Sequence, residues 1–409
     1  MTFHPGSGNY FSPTGIRTLR FTIAGSDWLV PETTRIAFSI RNEDPLLALQ
    51  PVSVLAGTVF SRMRILSGGV LLEDCNLYSR MINTFSQCLP PEKQFMDAGE
   101  GFGVAQDVPQ LSAVSWLPEQ IPAGSERRVF MTLHSGIFNQ EKWLPMSYLP
   151  LVVELEIGSA NDAFATTFRA AAGVAAAPMS QRWSLSDARL HCDMCTLDSQ
   201  LQASYASHLS SGRSISLAFS SFVTQTQRAE GAAQTIVLAR SFTRLKGIFV
   251  TWFRGNDQTG VRNHTNYLYG PHGAGAYAHD RDTLEAQMQL GSHKFPESPI
   301  TSLAEFYYRL RLSVGAHYGD VPISIVPTEF RTNKFILGMD LEKAGAGPAG
   351  SVAFSGISSR GGELLTVDYK GFGIPDADPT VSTTPTQSFV TLNYDAIVEV
   401  NQDSVSVSE

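Results

Sequence analysis

His191-Cys192-Asp193-Met194-Cys195 is the stretch whose residue types and spacing come nearest to metal chemistry, a Cys-x-x-Cys beside a histidine. A structural zinc takes four ligands, so this pair needs two more at finger spacing. The other cysteines, Cys75 and Cys88, are thirteen apart and stand in a different segment. Residues 183–196 read as a strand, on which positions 192 and 195 point to opposite faces. Both cysteines are therefore read as small buried hydrophobes, not as ligands or a redox pair.

Three other clusters fail on spacing. Gly99-Glu100-Gly101-Phe102-Gly103 has the glycines of a phosphate loop but no preceding strand, no following helix and no Lys-Ser/Thr, and is read as a mobile loop. His264, His272, His279 and His293, with Asp257, Asp280 and Asp282, crowd one region, but gaps of eight, seven and fourteen match no ligand motif. A loop packed by its own aromatics suits them better. No Gly-x-Ser-x-Gly, no His-Glu-x-x-His and no paired-carboxylate motif stands out. The expectation is no catalytic, cofactor or metal site, and no enzyme.

Nor does charge point to nucleic acid. Arg62, Arg64, Arg127, Arg128, Arg240, Arg244 and Lys246 are scattered and alternate within strands, the pattern of a solvated face rather than a phosphate-binding patch. The leading segment carries only Arg17 and Arg20, not a basic arm, and the net charge is −8. No strong direct binding to nucleic acid is expected.

A chain of 409 residues suggests two domains of about 200 residues each. Hydrophobic content of 43% is enough for packed cores, and Gly 34, Pro 22 and Phe 24 with many Val, Ile and Thr favour an all-β, loop-rich chain. MTFHPGSGNYFSPTG lacks the charged and apolar regions of a signal peptide, and no run approaches the ~20 apolar residues of a membrane span. Four cysteines suit a reducing compartment, so synthesis in the cytoplasm or nucleus is expected.

The elements that must position all this are mostly strands. Alternation predicts them at 16–24, 35–41, 58–66, 128–134, 149–157, 183–196, 214–223, 235–240, 242–253, 334–340, 363–369 and 389–400. One helix is strongly signalled after Pro296 and Pro299. Ser302 and Glu305 have capping-box spacing, Leu303, Phe306, Tyr307, Leu310 and Val314 form an apolar stripe, and Gly315 sits where a C′ glycine ends a helix. Its weaker copy lies at about 74–86, with Leu77-Tyr78-Ser79-Arg80-Met81 matching Phe306-Tyr307-Tyr308-Arg309-Leu310. A third, short helix is read at 197–209. Residues 88–126 form a long excursion, and 254–295 the largest insertion.

The chain thus reads as one β-rich unit written twice, residues 1–200 and 201–409, each with room for about eight strands and one helix. That is the layout of paired sandwiches of the jelly-roll kind, which bury the strand edges that would otherwise aggregate.

Four segments carry a resemblance: FPESPITSLAEFYYRL at 295–310, SFTRLKGIFVTWF at 241–253, TLNYDAIVEVNQDSVSV at 391–407 and YLPLVVELEI at 148–157. In these the sequence resembles the double jelly-roll major capsid proteins of the adenovirus-hexon-like lineage of DNA viruses, including the small polinton-like viruses. The resemblance implies two consecutive eight-stranded jelly rolls, three chains forming a pseudo-hexameric homotrimer, and trimers tiling an icosahedral shell. It implies a virion location, with neighbouring trimers, penton and minor capsid proteins as partners.

The apolar loop GIFNQEKWLPMSYLP at 136–150 points the same way, since an exposed patch of that size needs a covering surface. The alternative is a two-domain β-sandwich carbohydrate-binding module or glycan-active enzyme, with Trp143, Tyr148, Tyr267 and Tyr269 holding sugars and a carboxylate pair in a cleft. A further reading, one roll plus a spike domain, conflicts with the repeated Tyr-x-Arg helix.

Overall fold

A computed structural model describes residues 1–104, 118–168, 177–229, 233–253, 284–315, 334–342, 356–361, 363–371 and 387–409, with the isolated positions 323, 325, 327 and 330. The first half holds β1 (Thr2–Phe3), β2 (Tyr10–Phe11), β3 (Thr18–Ile23), β4 (Trp28–Asn42), β5 (Phe60–Ser67), β6 (Val70–Asn76), helix α1 (Tyr78–Ser86) and helix α2 (Pro91–Glu100). After these come β7 (Glu126–Thr132), β8 (Leu144–Pro145), β9 (Leu151–Ile157), the single turn α3 (Ala160–Ala163), a ribbon of β10 (Thr167–Phe168) and β11 (Ala177–Pro178), and β12 (Trp183–Cys195). Helix α4 (Ser199–Ser210) leads into β13 (Ile215–Arg228), β14 (Ala233–Leu238), β15 (Leu245–Phe253), β16 (Glu285–Leu290) and β17 (His293–Ile300). The chain closes with α5 (Leu303–Ser313), β18 (Leu337–Asp340), β19 (Leu365–Lys370), β20 (Gln387–Val400) and β21 (Val405–Ser408).

The repeat is one of topology. In the second half the sheets run β13-β20-β15-β18 and β14-β19-β16-β17. Numbered along that half, these are orders 1-8-3-6 and 2-7-4-5, the wiring of a jelly roll. The first half has the same order: β12-β4-β7 with β1 and β2 both paired to β12, and β3-β9-β5-β6. Its first strand is merely broken into two short pieces. Each half is an antiparallel sandwich, and the chain is a double jelly roll.

Alternation explains the layers. β9 is buried at every second residue from Leu151 to Ile157, and β3 does the same with Leu19, Phe21 and Ile23. The polar residues between them face out and pair across strands: Arg64 with Glu154 at 2.8 Å, Arg62 with Asp74 at 2.7 Å. β20 instead buries both faces through Ser388–Leu392, because the second roll's core lies on one side and the first roll on the other.

In each roll a helix follows the fifth strand of the order and precedes the sixth, α1 after β6 and α5 after β17. Their packing differs: α1 rests on β5 and the 3-10 turn at Ala56–Val59, whereas α5 rests on β18. The Ser302 hydroxyl accepts from the Glu305 N–H at 3.2 Å, but the Glu305 carboxylate turns to Arg309 at 3.2 Å, so the capping box is half formed. Gly315 has φ +72°, the left-handed cap. Phe306 and Leu310 are fully buried, with Phe306 edge-on to Phe335 at 5.6 Å. Leu310→Ala is expected to lower stability by about 2–5 kcal/mol, lost transfer energy plus cavity, read from chemical denaturation. No measurable loss would put the stripe in solvent.

Four expectations need correcting. Helix α1 starts at Tyr78, not near 74, because β6 stays paired to β5 as far as Arg62–Asn76 and Leu77 is left-handed at φ +52°. The insertion read as 254–295 ends earlier: β16 and β17 form a hairpin at its far end, with Ala286, Met288 and Leu290 buried. Gly-rich 99–103 is not a mobile loop. Gly99 and Glu100 end α2, Phe102 is fully buried, and its N–H bonds the Val54 carbonyl at 2.9 Å. A Cβ on Gly101 would lie 2.3 Å from that same oxygen, so glycine there permits close packing. Lastly, the apolar loop 136–150 needs no partner to cover it. Ile137, Phe138, Leu144, Met146 and Leu149 are buried by their own chain, and of the large apolar side chains only Trp143 is exposed, at 41%.

Candidate functional site

The polar residues singled out by type stay apart. Cys192 is buried at 2% exposure while Cys195 is half-buried with its thiol on the Thr196 carbonyl, so the two do point to opposite faces. His191 lies on the outer face, 3.2 Å from the Thr2 hydroxyl. Among the described residues no three His, Cys, Asp or Glu side chains converge as metal ligands. His264, His272, His279, Asp257, Asp280, Asp282, Tyr267 and Tyr269 lie outside the described residues; His293 opens β17 and is exposed.

Most of the basic residues have acidic neighbours: Arg62 and Arg64 as above, Arg127 with Glu119, Arg128 with Asp187, Arg240 with Glu409, and Lys246 with Glu342 at 3.0 Å. An open cleft of about 510 Å³ on the outside of β14, β19 and β16 contains Glu285 and Asp368. The first is held by Lys370 at 2.9 Å and the second by the Thr235 hydroxyl, so each is already engaged.

The chemistry of this chain is concentrated where the two rolls meet, and sequence reading missed it. Strand β13, at the edge of its sheet, is gripped on both faces by the first roll. On its inner face Glu73 of β6, 1% exposed, accepts from the Ser221 hydroxyl at 2.6 Å, the Gly136 N–H at 2.9 Å, the Ile137 N–H at 3.5 Å and the Ser135 hydroxyl. A buried carboxylate is tolerable only with this many donors. One side chain thus ties together β6, the loop after β7 and the second roll.

The grip leaves no room. A Cβ on Gly136 would sit 2.1 Å from the Ser220 carbonyl and 2.7 Å from the Phe219 ring. Beside it, burial and then the Glu73 charge push the Cys75 thiol far up, so it remains a protonated packing group and not a nucleophile.

On the outer face of β13 lies α1. Phe85 packs between Phe222 at 4.7 Å and Phe249 at 4.9 Å, and the Arg80 guanidinium stacks 4.0 Å above the Phe389 ring. Burial brings the arginine down to about 9, and its three nitrogens have no hydrogen-bond partner among the described residues. The Tyr78 hydroxyl accepts from the His134 N–H at 2.9 Å and fixes the helix to the strand end below it. Packing both faces of β13 against the first roll welds the two sandwiches into one block. No signal in the sequence marks Glu73 for this role, since a lone glutamate in a strand ordinarily reads as solvated.

The fold is that of viral capsid proteins of known structure. PBCV-1 VP54, fitted into a reconstruction of the virophage Sputnik, superposes with a TM-score of 0.61 at 12% identity, over 100% of this chain and 95% of that one. A Sputnik virophage chain gives 0.60 at 11% identity over 100% and 88%, and the Faustovirus major capsid protein 0.61 at 9% over 98% and 90%. The likeness spans both rolls and the joint. No family model and no curated protein matches the sequence.

Proposed function

We propose that the chain is the major capsid protein of a DNA virus, a structural block without turnover that associates into a pseudo-hexameric homotrimer and tiles an icosahedral shell. The observation that carries this reading is a whole-chain double jelly roll whose two rolls share one strand order and are locked by a buried joint. Rolls free to swing would serve a binding module; two rolls fixed side by side serve a tile. The two rolls in this reading are residues 1–200 and 201–409. Neighbouring trimers, penton and minor proteins are the partners in the virion, and the charge of −8 argues against a grip on the genome.

The glycan reading has less support. Trp143 is the one exposed aromatic among its two described candidates, and both carboxylates of the open cleft are occupied by neighbours. Mass photometry of the purified protein decides between the two. A species of three times the 44.5 kDa chain mass, with pseudo-hexagonal outlines in negative stain, is expected. A monomer at micromolar concentration would defeat the capsid reading.

A further inference from the structure

One strand edge of the second roll is closed by side chains instead of by a strand. Among the described residues β14 pairs with β19 alone. Alternate residues of a strand turn their N–H and C=O to the same side, and Thr235, Val237 and Ala239 form one such set. Two carboxamides of β13 meet them. Gln227 donates from Nε2 to the Thr235 carbonyl at 3.2 Å and accepts at Oε1 from the Val237 N–H at 3.2 Å. Gln225 donates to the Val237 carbonyl at 3.0 Å and accepts from the Ala239 N–H at 3.4 Å. Each carboxamide gives and takes one bond, as a peptide group does, and the two stand two residues apart on their strand.

The run of β13 explains their reach. Leu217, Phe219, Ser221 and Val223 are buried on its inner face, and Gln225 and Gln227 keep that parity where the burial ends. They therefore bridge from the end of one sheet to the edge of the other. In the first roll the strand at the same place in the order is β3, and its edge is closed by a different device. There the Gly6 N–H donates to the Arg20 carbonyl at 2.8 Å, and the Ser7 hydroxyl accepts from the Arg20 N–H at 3.2 Å. The same edge is engaged in both rolls by unrelated residues.

We propose that Gln225 and Gln227 stand in for a strand and keep the β14 edge closed to a second copy of the chain. An open row of N–H and C=O groups is a template for pairing with another chain. Every copy brings the same edge, and two identical edges pair antiparallel about a two-fold axis. Thr235, Val237 and Ala239 are exposed, so the glutamine ladder and not burial shields this edge. The inference goes beyond the capsid reading and does not depend on it, since the pairing that the ladder prevents needs only two copies.

Gln225→Met with Gln227→Met keeps side-chain length and removes every bond of the ladder. Hydrogen exchange by mass spectrometry is read on peptides spanning β14 and Ala239, with mass photometry on the same samples. The Val237 and Ala239 amides are expected to exchange about three- to ten-fold faster, the loss of one hydrogen bond each. Particles of twice the wild-type mass should accumulate as concentration rises. Thr226→Ala, exposed on the other face of β13, should leave both readings unchanged. Unchanged exchange in the methionine pair overturns the ladder, and faster exchange without added association overturns its shielding role. If thermal melting shows that the methionine pair does not fold, Gln227→Glu replaces it. An ionised carboxylate cannot donate to the Thr235 carbonyl, whereas a protonated one both donates and accepts. Its excess exchange over wild type at neutral pH should vanish below about pH 4. No excess at neutral pH, or one that persists in acid, overturns the ladder.

Discussion

Glu73→Ala is expected to destabilise the protein by about 3–5 kcal/mol, since each buried donor left without an acceptor costs about 1–3 kcal/mol. The carboxylate is 1% exposed and holds donors from Ser135, Gly136, Ile137 and Ser221. Alanine strands all four at a joint where the Gly136–Ser220 contact admits no added atom. Because Ser221 belongs to the second roll and the others to the first, the loss falls on the coupling between rolls. Urea denaturation of the wild type is expected to show one transition. In the variant it should move to lower urea and broaden or split as the rolls melt separately. Glu73→Gln, which keeps the shape and one acceptor oxygen, should lie between the two. A Glu73→Ala midpoint within error of wild type would mean that water replaces the carboxylate and satisfies its donors.

The repeat was legible in the sequence because both signals that mark it are local. Period-two alternation in Leu151–Ile157 or Trp183–Cys195 reports a sheet face directly, and the stripe from Leu303 to Leu310 with Ser302 and Gly315 at its ends reports a helix and its caps. Boundaries failed where tertiary pairing outran local pattern. β6 runs on to Asn76 because β5 is there to pair with it, and β16–β17 hides in a stretch rich in Gln, Glu, Ser and Pro. The loop at 136–150 misled for a related reason: apolar composition says that something covers a loop, not that the cover is another molecule. The joint was invisible altogether. Glu73, Gly136 and Ser221 are up to 148 residues apart, and none has a neighbour in sequence that hints at the others.

Arg80→Met is expected to stabilise the protein, by about 1–4 kcal/mol at neutral pH, which is the range seen when buried charge gives way to apolar groups of like volume. Arg80 is 3% exposed, and among the described residues its guanidinium has no hydrogen-bond partner and stacks on the Phe389 ring at 4.0 Å. A desolvated cation–π contact contributes on the order of 2 kcal/mol, less than the cost of taking the charge out of water. Methionine keeps the volume and a sulfur–ring contact.

The pH dependence gives the sharper test. Burial lowers this arginine from 12.5 to about 9 in the folded chain, so between those values the unfolded state binds more protons and stability gained from this group rises with pH. Below pH 9 the full penalty is present, and it is relieved as pH climbs past 9. The advantage of Arg80→Met over wild type should therefore be constant from pH 6 to 8 and shrink between pH 9 and 11. Taking the difference between the two proteins cancels the lysines and tyrosines that titrate in the same window. A variant less stable than wild type at pH 7 would sink the argument, and would mean that the ring outweighs the desolvation of the charge.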